Sequence, residues 1–128
     1  MDFRNPPDEV IRKLLETSRT VAVVGLSPRP ERPSHRVAAF LIGKGCRVFG
    51  VRPGVKHVLG SPCYSRLRDI PEKIDVVDVF RRSEAVPEHA EEAVALGVSV
   101  LWLQLGVIHQ EAALRAKRAG LTVVMDRC

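Results

Sequence analysis

Gly25, Ser27 and Ser34 stand close together in the chain, between the apolar β-branched run Thr20 to Leu26 and a stretch in which Val37, Ala38, Leu41 and Ile42 recur at helical spacing. The chemistry such residues offer is anion capture. A buried strand that ends in a Gly-and-Ser loop, followed by a helix N-terminus, gathers unpaired backbone N–H groups and a positive dipole end at one point, which suits a phosphate. Ser34 reads as the N-cap of that helix, and Gly43 and Gly45 as its stop. Arg29 lies in the same loop and Arg36 in the first turns of the helix, where each adds positive charge.

The loop departs from the usual dinucleotide fingerprint. G-x-G-x-x-G needs two further glycines, but Gly25 is followed by Leu26, Ser27, Pro28, Arg29 and Pro30. The next strand candidate, Arg47 to Val51, ends in Arg52 instead of the Asp or Glu that would accept from a ribose 2′-hydroxyl. NAD is disfavoured on both counts. A guanidinium at that position suits a phosphorylated ribose, which it holds in a bidentate grip. NADP and coenzyme A both carry such a phosphate.

Other chemistries find little support. His35, His57, His89 and His109 have no recognisable nucleophile or carboxylate partner in sequence, so no catalytic residue is assigned. His35 reads as a capping or surface residue, His89 and His109 as helix-face residues, and Asp75, Asp78 and Asp126 as structural caps. Cys46, Cys63 and Cys128 are widely spaced with no C-x-x-C, which excludes a zinc site of ordinary spacing, and no metal ligand is assigned. Cys46 reads as a small packed side chain. Cys128 follows the last strand, where an exposed thiol would be reactive if its pKa were lowered.

The elements that must position these residues follow from the apolar pattern. The 128 residues, 45% hydrophobic and 27% charged, suit a single domain spanning 1–128. Asp8 to Ser18 reads as an amphipathic docking helix with Val10, Ile11, Leu14 and Leu15 on one stripe, within an N-terminal segment 1–19. Residues 20–128 form the core. Thr20 to Leu26, Arg47 to Val51, Asp75 to Phe80, Val98 to Leu103 and Leu121 to Met125 read as buried strands, with a very short one at Cys63 and Tyr64. RPGVKHVLGSP reads as a loop, Ser65 to Ile70 as a helical turn, and Glu84 to Gly97 and His109 to Gly120 as helices. This alternation predicts an α/β, Rossmann-like, doubly wound sheet, mainly parallel and five-stranded, with helices on both faces. In such a sheet the ligand lies beyond the carboxyl ends of the strands, where strand order reverses.

VAVVGLSPRPERPSHRVAAFL, VRPGVK, GSPCYSRLRDIP, DVVDVFRRSEAVPE, VLWLQLGV and VVMDRC, in that order, resemble the small stand-alone CoA-binding proteins. Those proteins are related to the N-terminal CoA-binding domain of the succinyl-CoA synthetase α subunit. The resemblance implies a Rossmann-like CoA site. Gly25, Leu26 and Ser27 would lie against the pantetheine and phosphate portion, and Arg52, Pro53 and Lys56 would flank the adenosine phosphates. Phe80, Arg81 and Arg82 would close over the nucleotide, Gln104 and Gly106 would meet the pantetheine arm, and Arg36 would add charge near the diphosphate. The synthetase relatives place Pro-Gly-Lys after the second strand, whereas Val55 here displaces the lysine to Lys56. The ligase domain with its phosphorylated histidine has no counterpart in this sequence.

The resulting expectation is a non-catalytic protein that binds CoA or acyl-CoA, a carrier, sensor or enzyme partner. A small NADP-binding oxidoreductase or redox sensor is the alternative, weakened by the broken glycine fingerprint. The net charge of +5 fits a small anionic ligand. Nucleic acid is not the expected partner, because aromatics make up only 5% of the chain and the arginines are scattered. No apolar run or signal pattern predicts a membrane segment or export, so a cytoplasmic protein is expected. Under oxidation, a CoA thiol reaching Cys128 or Cys63 would form a mixed disulfide.

Overall fold

The computed structural model describes residues 2–128. In chain order the elements are α1 (Asp8–Thr17), β1 (Thr20–Val24), α2 (Pro33–Gly43), β2 (Arg47–Val51), β3 (His57–Val58), β4 (Ser61–Tyr64), β5 (Val76–Val79), α3 (Val86–Leu96), β6 (Val100–Leu103), α4 (Gln110–Arg118) and β7 (Thr122–Val124). The valine-rich runs become strands because both of their faces are covered. Val23, Val24, Val77, Val79 and Val124 are all completely buried, and each such side chain contributes about 1.5–3 kcal/mol.

The strands form one sheet in the order β3-β4-β2-β1-β5-β6-β7. Every neighbouring pair is parallel except the β3–β4 hairpin. Without β3, the parallel strands numbered along the chain read 3-2-1-4-5-6, the doubly wound order, which reverses between β1 and β5. The sheet has seven strands where five were expected. Within the segment read as a loop, Leu59 and Gly60 both take positive φ, 54° and 76°, the two-residue hairpin turn that folds His57–Val58 back onto Ser61–Tyr64. The alternation there is too short to mark a strand.

Helices cover the two faces unequally. α3 and α4 pack through Ala90, Ala93, Ala112, Ala113 and Ala116 over one core cluster. The other cluster, with Val21, Val23, Val76, Val100 and Trp102 on the sheet, lies under Ala38 of α2 and Ile11 of α1. The segment before α1 is tied to the end of β7. Asn5 Nδ2 donates to Met125 O at 2.9 Å, Met125 N–H donates to Asn5 Oδ1 at 2.7 Å, and Phe3 N–H donates to Gln110 Oε1 at 2.6 Å. Asp75 caps the start of β1, accepting at Oδ2 from the N–H groups of Arg19 and Thr20. His109 proves to be the N-cap of α4, its Nδ1 accepting from Ala112 N–H at 3.1 Å, and not a helix-face residue. Among the described residues, no helix is long and apolar enough to cross a membrane.

Candidate functional site

The loop between β1 and α2 is fixed at its first residue. Gly25 takes φ 87°, and a Cβ there would stand 2.7 Å from Phe80 O, so only glycine lets the chain pass this close to the end of β5. Gly25 N–H donates to Val51 O, which ties the same point to β2. Leu26 turns its side chain into the core, fully buried, with its Cδ2 over Gly50. Ser27 is buried and holds the rest of the loop. Its N–H donates to Ser34 Oγ at 2.9 Å, its own Oγ accepts from Arg29 N–H at 3.1 Å, and its carbonyl lies 3.0 Å from His35 Nδ1.

Ser34 is therefore not the helix cap. α2 starts one residue earlier, at Pro33, whose fixed φ suits the first helical position, and Ser34 uses its hydroxyl to brace the loop. The loop amides expected to be unpaired are largely engaged: those of Gly25, Ser27, Arg29 and Arg32 all donate within the protein. Positive charge at this point comes mainly from side chains.

A cleft of about 820 Å³ opens beyond the carboxyl ends of β1 and β5. Arg29, Arg32 and Arg36 line it from the β1–α2 segment, Arg52 from the end of β2, and Arg81 and Arg82 from the end of β5. No carboxylate pairs with any of these six arginines among the described residues; the arginines that do pair with carboxylates are Arg47, Arg115 and Arg127. Arg36 Nη1 donates to Glu31 O at 2.6 Å, which steadies its side chain without neutralising it. A smaller hollow of about 280 Å³ adjoins the cleft, sharing Gly25, Arg52 and Arg81 with it and adding Val51 and Pro53.

The far wall is built by cross-links between loops. Ile108 N–H donates to Ser83 Oγ, Gly106 N–H donates to Asp126 Oδ1 at 2.7 Å, and Trp102 Nε1 donates to Arg127 O at 2.9 Å. The last two bonds hold the segment after β7 beside the end of β6, and Cys128 lines the cleft. Beneath lies a buried polar pair, Gln104 Nε2 donating to Asp78 Oδ1 at 2.8 Å. Burial pushes the Asp78 carboxyl up to about 7, against the opposing pull of the Gln104 donor.

Of the residues singled out in the sequence, Gly25, Ser27, Arg29, Arg36, Arg52, Phe80, Arg81, Arg82 and Gln104 come together around the cleft, and Pro53 lines the adjoining hollow. Leu26 lies in the core. Lys56 is exposed and lines neither space, while its carbonyl accepts from Cys63 N–H. Gly106 is set back behind its two neighbours, Leu105 and Val107, which line the cleft. Arg32, Leu105 and Val107 were missed. Arg32 carried the same signal as Arg29 and Arg36, a cation in the loop after the first strand. Cys63 does not line the cleft, and burial raises its thiol pKa.

Residues 19–128 match the family described as CoA binding domain. The chain is 41% identical over 126 residues to the uncharacterized protein YneT of Bacillus subtilis, covering 98% of this chain and 93% of that one. It is similar in structure to a hypothetical protein from Pyrococcus horikoshii OT3, with a TM-score of 0.93, 38% identity, and coverage of 100% of this chain and 92% of that one. It is also 25% identical over 120 residues to the ADP-forming acetate–CoA ligase I of Archaeoglobus fulgidus, covering 86% of this chain but 18% of that much longer protein.

Proposed function

The chain belongs to the CoA-binding domain family, and from that premise we propose that it binds coenzyme A in the arginine-lined cleft without carrying out a reaction of its own. The observation that carries this reading is the convergence on one cleft, at the strand reversal, of six arginines with no carboxylate partner among the described residues. CoA bears a ribose phosphate and a diphosphate, which call for cations at two places. Arg52, beside the smaller hollow with Pro53 and Arg81, takes the ribose phosphate, and Arg29, Arg32 and Arg36 serve the diphosphate over the Ser27 loop. Phe80 and Arg82 flank the nucleotide, and the pantetheine arm runs toward Gln104.

The site's own polar groups support the non-catalytic part of this reading. The Ser27 and Ser34 hydroxyls accept from backbone N–H groups, and His35 Nδ1 faces the Ser27 carbonyl and not either hydroxyl, so these residues form no serine–histidine hydrogen bond of the kind that activates a nucleophile. A carrier or sensor of CoA fits these features. NADP is the second reading, since Arg52 suits its 2′-phosphate as well.

Isothermal titration with CoA, dephospho-CoA, NADP and NAD tests the reading. CoA is expected to bind tightest and dephospho-CoA more weakly, with affinity falling as salt rises. No binding of CoA at millimolar concentration overturns it, and tighter binding of NADP than of CoA favours the second reading.

A further inference from the structure

A second hollow, of about 430 Å³, lies between α1, α2 and the sheet, on the face that α3 and α4 leave free. Leu14 of α1, Val37 and Leu41 of α2, and Val21, Val100 and Trp102 of the sheet line it. It is continuous with the arginine cleft, for Pro33, Arg36, Gln104 and Cys128 line both. Two charged side chains line it among the described residues: Arg36, at the junction with the cleft, and Asp78, hydrogen-bonded to Gln104. Phe40 and Leu15, also in its wall, are 62% and 60% exposed, so its rim presents apolar surface to water.

We propose that this hollow takes the acyl group of a neutral, straight-chain acyl-CoA whose nucleotide occupies the arginine cleft, an inference that rests on the CoA reading above. CoA itself has no apolar tail to fill such a space. A thioester leaving the cleft past Gln104 meets the polar pair first, where its carbonyl can be matched, and the aliphatic walls beyond it. The same lining sets the specificity. A second carboxylate on the acyl group, as in a succinyl thioester, carried past Arg36 at the junction would be buried among aliphatic side chains, which disfavours it.

Titration of the whole protein with CoA, acetyl-, butyryl-, hexanoyl- and succinyl-CoA, with hexanoate alone as control, tests this. The expected result is a gain of roughly fourfold in affinity per methylene along the straight-chain series, the transfer free energy of a buried CH₂ expressed as a ratio. Succinyl-CoA is expected to bind no better than CoA. Val37→Trp and Ser18→Phe fill the hollow from two different elements and touch only this space. Either should abolish the chain-length dependence while leaving CoA affinity unchanged, and a folding defect in one leaves the other as the test. Equal affinity for CoA and hexanoyl-CoA overturns this inference alone, as does hexanoate binding as tightly as hexanoyl-CoA, or a solution dimer that buries Phe40 and Leu15. Failure of CoA and every thioester to bind overturns the CoA reading and this one with it.

Discussion

Gln104 donates its side-chain N–H to Asp78 Oδ1 across 2.8 Å, linking the end of β6 to β5 beneath the cleft. Burial outweighs that donor, and the carboxyl titrates near 7 instead of 3.8. The folded chain thus keeps a proton that the unfolded chain releases above 3.8, so this group's contribution to stability declines as pH rises from 3.8 to 7 and is lost above that. Asp78→Asn keeps the shape and an acceptor for Gln104 but has no charge to bury. It should raise the Tm at pH 8, by a free energy on the order of 4 kcal/mol, and change little at pH 4. Thermal melts of both proteins at the two pH values check this; an equal shift at both sinks it.

Gly25→Ala should be costly for two reasons that act together. The residue would hold a positive φ, and its methyl would press on Phe80 O at 2.7 Å, an atom of the backbone that cannot swing aside. A loss of about 1–3 kcal/mol is expected from the backbone conformation alone. Because the strain falls where the β1 loop crosses β5, CoA affinity should drop as well. Denaturant unfolding and CoA titration of the variant measure the two effects separately.

Strand and helix periodicity pointed to the candidate cleft because the doubly wound sheet gathers its strand-end loops at the strand reversal. Gly25, Arg52 and Arg81 lie far apart in sequence, yet each follows a valine-rich strand, and parallel pairing brings such ends together. Hairpin β3–β4 was legible only in its second strand, at Cys63 and Tyr64, since β3 has two residues and the turn opens on Leu59, a residue that gives no turn signal. The hollow beside Asp78 was equally hidden. It exists because α1 and α2 stand apart, a spacing set by packing and not by the apolar stripe of either helix. Ser34 misled for a local reason: a serine after Pro33 has the composition of a cap but the position of the second helical residue.

Arg52→Ala should weaken CoA binding by about 10- to 100-fold, the worth of a charge-assisted hydrogen bond to phosphate. Dephospho-CoA lacks the ribose phosphate and should be nearly indifferent to the substitution. The two ligands against the two proteins form a cycle, and the coupling it measures assigns the phosphate to this arginine. Equal losses for both ligands would place Arg52 on the diphosphate instead.

His89 should make the protein less stable on the acid side. The residue is 7% exposed with neither ring nitrogen hydrogen-bonded among the described residues, and burial, aided by Arg81, lowers its pKa against the opposing pull of Glu88 and Glu92. Glu92 Oε1 lies 3.8 Å from Nδ1, too far to compensate for the lost water. The unfolded chain takes up a proton near pH 6.5 that the folded chain refuses, so stability should fall as pH drops through that range. His89→Leu removes both the proton and the unsatisfied atoms. Its advantage over the parent in urea midpoint should be larger at pH 5.5 than at pH 7.5.

Cys128 and Cys63 should respond differently to CoA disulfide. Cys128 is exposed and lines the cleft proposed to take CoA, whereas Cys63 is half-buried, outside the cleft, and held by burial further from its thiolate form. Attack by the Cys128 thiolate on one sulfur of the disulfide forms the protein–CoA bond and releases the other CoA as its thiolate, so no further oxidant is consumed. Intact mass should show one CoA added per chain, lost on treatment with a reductant and absent from Cys128→Ser. An unchanged adduct in Cys128→Ser would locate the reactive thiol elsewhere, and excess free CoA should slow the reaction of the parent protein by occupying the cleft first.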